Sequence, residues 1–377
     1  MNLGSDPRLP ATDDYYPWLD PLRFFAALSV VAFHLRDLAH LSLPQELPGV
    51  WFAAGFLGVD LFFAISGAVI YLSIVRLARR HGEGHWRAAF MWRRVARLVP
   101  LYVLTTVFFV CVVRPELVAR SDFGFLLTTH LLFVSNLFAS THGAINGVSW
   151  SLGVEMQFYL LMVLVGAYLL RRGIWLAVVL AVLVALLWRL GVWQVIGALP
   201  AAERGNQMFI YTLQLPGVLD GFAAGIVAMW WRLRTPDARM GRRWIVLLGL
   251  AVAMWWLVLS LLLSNAALYW SHPAMLLGLR AAIALASGLS VAAVIAIPNK
   301  FSPGAVGQWM GDTSYGIYLW HLGVLLLVVR YWPQADPLQQ SGVILFGTTL
   351  LASLGWVLVE RPILRWARRW PDRKTGG

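Results

Sequence analysis

The chain has 377 residues, of which 59% are hydrophobic and only 13% charged, against about 45–50% and roughly 25% in a soluble globular chain. So little charge cannot cover the surfaces of the soluble domains that this length would otherwise build, and the mean hydropathy of +0.69 makes lipid the solvent. The net charge of +12 raises nucleic-acid binding only until the charges are placed along the chain.

In chain order, the first 17 residues carry Asp6, Asp13 and Asp14 against Arg8 without an apolar core, so they read as a tail and not as a cleavable signal peptide. Ten apolar runs long enough to span follow, near 18–38, 51–75, 95–113, 148–170, 174–196, 208–231, 244–264, 274–297, 314–332 and 341–359. An eleventh stretch, 123–140, is interrupted by Thr128, Thr129, His130, Ser135 and Asn136 and is expected to dip into the membrane or lie at its interface. With that stretch not crossing and the N-terminus inside, twenty of the thirty basic residues fall in inside segments and five in outside loops. The positive-inside rule is then obeyed, both termini are cytoplasmic, and the basic charge is topological, so no nucleic-acid partner is expected. The expected fold is all-α: a polytopic integral membrane protein of about ten transmembrane helices in one domain, with a tail over 1–17, a bundle over 18–359 and a basic tail over 360–377. The lone Cys111 excludes an intrachain disulfide and a cysteine metal cage. His130, His142 and His272 are too scattered for a metal site, so no metal is expected.

An ionisable group within a span costs about 2.5–3.5 kcal/mol or more on insertion scales and is a functional candidate by default. This chain has many: Arg23, His34, Asp60, Arg97, Glu155, Arg189, Asp220, Arg280 and His321. Arg23 and His34 are eleven residues apart, about 20° short of or past three helical turns, so they share a face about 16 Å apart along the axis. Glu155, seven residues into its span, falls at a depth similar to that of His34, which suggests a His/carboxylate pair. Arg93, Arg94 and Arg97 gather at the inner end of the third span. An imidazole can take a proton from a hydroxyl while a carboxylate orients it, and clustered arginines suit a multiply charged phosphate. Ion pairing within the bundle is the expected role of Arg189, Asp220 and Arg280. No Gly-x-Ser-x-Gly elbow, His-Glu-x-x-His helix or glycine-rich phosphate loop occurs.

Six stretches carry a family resemblance: Arg23–His34 (RFFAALSVVAFH, an Arg-x10-His pattern), Gly58–Gly67 (GVDLFFAISG), Arg93–Tyr102 (RRVARLVPLY), Trp150–Tyr159 (WSLGVEMQFY), Ser314–His321 (SYGIYLWH) and Glu360–Pro362 (ERP). In this order and over the whole chain they resemble the membrane acyltransferase-3 family, integral-membrane enzymes that O-acylate sugars and related acceptors, in its stand-alone form without an appended extracytoplasmic domain. The resemblance implies about ten spanning helices and makes His34 the essential histidine. It makes Arg23 its companion toward the acyl donor and Glu155 the acidic motif residue. It also implies that Arg93, Arg94 and Arg97 bind acyl-coenzyme A from the cytoplasmic side, and that Asp60, Tyr159, Tyr315 and His321 serve structure or the acceptor. The activity it implies is transfer of an acyl group, acetyl by family default, from cytoplasmic acyl-CoA to a hydroxyl of a carbohydrate or glycosylated acceptor of the cell envelope. His34 would act as general base or as acyl relay. The expected location is the bacterial cytoplasmic (inner) membrane. A second transfer step would need a partner protein, and a homo-oligomer is left open. The rival class is a transporter or flippase, because buried charges also mark substrate pathways, although internal repeats and paired broken helices are not evident in the sequence.

Overall fold

The computed structural model describes residues 15–41, 47–82 and 86–369; the tail charges Asp6, Arg8, Asp13 and Asp14 and the last eight residues lie outside them. Among the described residues every regular element is helical. In lipid, a helix satisfies its backbone internally, so apolar runs of this length have no better solution.

The elements are α1 Leu19–Leu38, α2 Leu47–Ala54, α3 Gly58–His81, α4 Trp86–Phe108, α5 Phe123–Leu131, α6 Trp150–Arg172, α7 Trp175–Ile196, α8 Ala201–Thr212, α9 Leu215–Arg234, α10 Asp237–Met240, α11 Arg243–Ser264, α12 Arg280–Ile295, α13 Gly304–Tyr331, α14 Pro337–Gly355 and α15 Arg361–Arg369. Among the described residues, eight continuous helical segments are long and apolar enough to cross a membrane. Counted together as one span, α8 and α9, bent by 46° at Leu213–Gln214, give a ninth. The tenth expected span is α1. Its charges, Asp20, Arg23, Arg36 and Asp37, set it apart from the others, yet it packs along α13 and α3 with Ala26, Ala27, Val30 and Val31 buried. The stretch read as non-crossing forms α5, whose nine residues extend only about 14 Å.

The bundle is layered by polarity. α7 and α11 are peripheral, turning Leu180, Leu187, Val246 and Trp256 outward to lipid. α1, α3, α9, α12 and α13 form the centre. The α3–α9 contact is backbone-close: a methyl at Gly67 would overlap the Phe222 carbonyl, and one at Gly225 would overlap that of Ala64. Small residues drive such approaches where no hydrophobic effect separates helix from lipid. Gly225→Ala is expected to destabilise the bundle by about 1–3 kcal/mol through overpacking, read as a lower melting midpoint in detergent; Gly249→Ala, on α11 with open space around it, leaves the midpoint unchanged.

Two π-turns abut buried charges. Met275–Leu279 runs directly into Arg280, and Trp356–Glu360 ends on Glu360. Such wide turns re-aim a side chain within a helix and are frequent at functional sites.

Candidate active site

The centre of the bundle holds two chambers. The first, about 120 Å³, is lined by Arg23 of α1, Ser66 of α3, Arg94 and Arg97 of α4, Glu155 and Tyr159 of α6, and Tyr315 of α13. The second, about 460 Å³, takes His34 and Arg36 of α1 and Asp60 of α3, with an aromatic wall that includes Phe56, Trp150, Phe209, Tyr269 and Trp270.

In the arginine chamber each cation has a different hold. Arg97 pairs with Glu360, which is 1% exposed, and lies over the Tyr315 and Trp356 rings at 5.6 and 5.5 Å. Arg94 donates to Ser73 Oγ at 3.1 Å and lies 5.6 Å from the Phe90 ring centre. Among the described residues, Arg23 has only a 3.5 Å contact to Asp20, one turn away. Arg93 is not part of this lining. Glu155 Oε1 accepts from Ser66 Oγ at 2.8 Å and from the Tyr159 hydroxyl at 2.6 Å. The Tyr315 hydroxyl donates to the Leu98 carbonyl at 2.7 Å. The result is a cationic hollow with one carboxylate, open enough for a phosphate or a narrow arm and too small for a nucleotide.

In the histidine chamber the hydrogen bonds assign the tautomers. His34 Nδ1 is 2.9 Å from the Val30 carbonyl, and His321 Nδ1 is 3.1 Å from that of Ile317. A carbonyl only accepts, so in the neutral rings both Nδ1 atoms carry the proton. His321 Nε2, 3.3 Å from His34 Nδ1, then accepts from that same N–H. His34 is left with its Nε2 lone pair, the form of imidazole that removes a proton. Asp60 is held by Arg280 through two hydrogen bonds, 2.6 and 3.0 Å, and Arg280 also reaches the Tyr269 hydroxyl at 3.2 Å. Arg189 pairs with Asp220 at 2.6 Å. Beside the chamber, His142 stacks on Trp150 at 5.5 Å between ring centres; burial pushes its imidazole down to about 4. Protonation of the unfolded chain alone should therefore destabilise the fold as pH falls from about 6.5 toward about 4, and a neutral ring at position 142 removes that part of the pH dependence.

Arg23 and His34, expected on one face, line different chambers. The expected pairing of His34 with Glu155 is replaced by His34 with His321. Ser151 Oγ meets the Tyr318 hydroxyl at 2.7 Å. Ser151 lies one turn before Glu155 on α6 and Tyr318 one turn before His321 on α13, so this contact links the helix that carries Glu155 to the one that carries His321. Sequence reasoning also missed Glu360 as the partner of Arg97, although Glu-Arg-Pro was visible as a motif. Among the described residues no group of three His, Cys, Asp or Glu side chains is arranged to hold a metal ion.

The family model of the acyltransferase domain matches residues 16–359, nearly the whole chain and all six motif stretches but the last. The chain belongs to the acyltransferase-3 family. It is 27% identical to YrhL of Bacillus subtilis (strain 168), 24% to the peptidoglycan O-acetyltransferase OatA of Listeria monocytogenes and 25% to the O-acetyltransferase OatA of Staphylococcus aureus (strain NCTC 8325). Each match covers 93% of this chain and 55, 56 and 57% of the respective relative, so the chain spans about half the length of these proteins. No solved structure matches it significantly.

Proposed function

We propose that the protein is a membrane O-acyltransferase that moves an acyl group, acetyl above others, from cytoplasmic acyl-CoA to a hydroxyl of a cell-envelope glycan. The observation that carries this reading is the His34 Nε2 lone pair in an aromatic-lined chamber that shares a wall with a chamber of arginines. Membership of the acyltransferase family and the likeness to peptidoglycan and other O-acetyltransferases support it.

In this reading the chain sits in a bacterial cytoplasmic membrane with the arginine chamber toward the cytoplasm, as the placement of basic residues favours. Arg23, Arg94 and Arg97 hold a phosphate of the donor at the mouth, with Arg93 nearby on the same helix, and the acyl-pantetheine arm enters the chamber. The aromatic wall of the histidine chamber takes the glycan, whose C–H faces pack on rings while its hydroxyls remain free to bond. His34 Nε2 accepts the proton of the acceptor hydroxyl; the oxygen attacks the thioester carbonyl, the C–O bond forms and the C–S bond breaks. The leaving thiolate takes the proton back from the imidazolium. The contact with His321 Nε2 would hold the His34 ring plane through this cycle.

Acetyl-CoA binding to the purified full-length protein, measured by calorimetry, tests the donor half. Binding is expected, weakened about tenfold or more in Arg23→Gln, the least committed of the three cations; that loss corresponds to the ~1.5–3 kcal/mol of a charge-assisted hydrogen bond. Absence of acetyl-CoA binding by a folded wild-type sample would reject the donor assignment.

A further inference from the structure

Among the described lining residues, only three side chains belong to both chambers: Val59 and Phe63 of α3 and Tyr318 of α13. Val59 and Phe63 are four residues apart and so lie on one face, one turn apart. Each of the three is held. The Tyr318 hydroxyl is bonded to Ser151 Oγ at 2.7 Å and donates to the Val148 carbonyl at 3.0 Å, and the Phe62 ring meets its own ring edge-on at 5.5 Å. Phe63 packs at 4.9 Å on Phe222 and at 6.5 Å on Trp150. Val59 is β-branched within a helix, with one strongly preferred rotamer, and the next residue, Asp60, ties α3 to Arg280. This is a fixed partition and not a loose flap.

The reading above, on which this inference rests, puts the donor's phosphates on one side of the partition and the base on the other. The thioester carbonyl must then lie at the partition, where a hydroxyl activated by His34 can reach it. We infer that Val59, Phe63 and Tyr318 form the slot that receives the acyl group and that they set its length and polarity. The slot is apolar on the α3 side, and the Tyr318 hydroxyl is already engaged, so these three side chains offer a charged acyl terminus no partner. With two rings pinned by neighbours and the helix pinned by an ion pair, each methylene beyond acetyl must be fitted against groups that cannot retreat. Val59 has the smallest side chain of the three, so shortening it opens the slot without removing a ring or a hydrogen bond.

The test uses membrane vesicles from the host strain deleted for this protein and carrying full-length wild type, Val59→Ala, Phe63→Leu or Val69→Ala at matched abundance. Val69 lines only the arginine chamber and controls for general loosening. Equimolar acetyl-, propionyl-, butyryl- and succinyl-CoA are supplied together, and the acyl groups on the isolated envelope glycan are measured by mass spectrometry. The wild type is expected to transfer acetyl in large excess. Val59→Ala should raise the butyryl-to-acetyl ratio about tenfold or more, the scale on which a pocket discriminates one methylene, with Phe63→Leu shifting it in the same direction. Val69→Ala alters the donor chamber, so its total transfer is not the readout; its butyryl-to-acetyl ratio should equal that of the wild type, and succinyl should be rejected by all four. If acetyl is transferred but neither Val59→Ala nor Phe63→Leu moves the ratio, the slot is wrong and the donor reading stands. If no supplied thioester labels the glycan in the wild type, the donor reading falls and the slot falls with it.

Discussion

His34→Ala is expected to lower kcat for acyl transfer by about 10²–10⁴-fold, the usual contribution of a positioned general base, while leaving the affinity for acetyl-CoA nearly unchanged. The reason is the division of labour between the chambers. His34 does not line the arginine chamber, so donor binding has no contact to lose; in the proposed mechanism its Nε2 takes the proton on the other side of the partition. His34→Gln should fare no better, since an amide cannot accept and return the proton. His321→Leu is a milder change, because the Val30 carbonyl still holds His34 Nδ1 and with it the tautomer. A loss of less than tenfold is expected there, carried mainly by ring orientation. Initial rates against acceptor concentration, with calorimetric donor binding on the same preparations, separate these outcomes. Equal losses in donor binding and turnover for His34→Ala would mean that the histidine supports the fold and not the chemistry.

The largest effect on stability should come from the α3–α12 ion pair. Asp60 meets Arg280 through two hydrogen bonds, and both groups are nearly buried, at 9 and 3% exposure. Asp60→Ala strands a guanidinium whose Nε already lacks a partner. Removing one member of a buried pair costs about 3–5 kcal/mol because the other charge remains buried. Asp60→Ala should therefore lower the yield of folded protein in detergent and its melting midpoint sharply. Asp60→Ala combined with Arg280→Met should recover much of that loss, since no uncompensated charge remains. A double variant as unstable as the single one would show that the Arg280 charge is not what Asp60 serves. Arg189 and Asp220 repeat the arrangement between α7 and α9, and their cycle should behave alike.

Much of this architecture is legible in the residues. The apolar runs mark the helices, and the polar interruptions in 123–140 foretell the short α5. The charges in α1 set it apart from the other apolar runs, and its small and β-branched residues Ala26, Ala27, Val30 and Val31 bury it in the centre with α3 and α13. Periodicity gives each side chain a face and a depth on its own helix. It does not say which face of which other helix comes opposite, because packing angle and rotation are fixed by contacts such as those at Gly67 and Gly225. Asp60 and Arg280 are 220 positions apart, and Arg97 and Glu360 are 263. Glu155 and His34 were matched in depth, but the Glu155 carboxylate is bonded to Ser66 and Tyr159 in one chamber and His34 to His321 beside the other. The division of one expected polar path into two chambers belongs to this second kind of information.

The central claim, acyl transfer dependent on His34, is tested most directly by mass spectrometry of envelope glycans and secreted glycosylated products from three strains of the native host. These are the wild type, a deletion, and the deletion complemented with His34→Ala at matched membrane abundance. An acyl mass shift lost in the deletion and not restored by His34→Ala is the expected result, and it would name the acyl group and the acceptor together. Full restoration by His34→Ala contradicts the role of the histidine. A deletion that leaves every acylation intact while changing the amount or location of glycan contradicts acyl transfer itself, and makes the protein a mover of glycan.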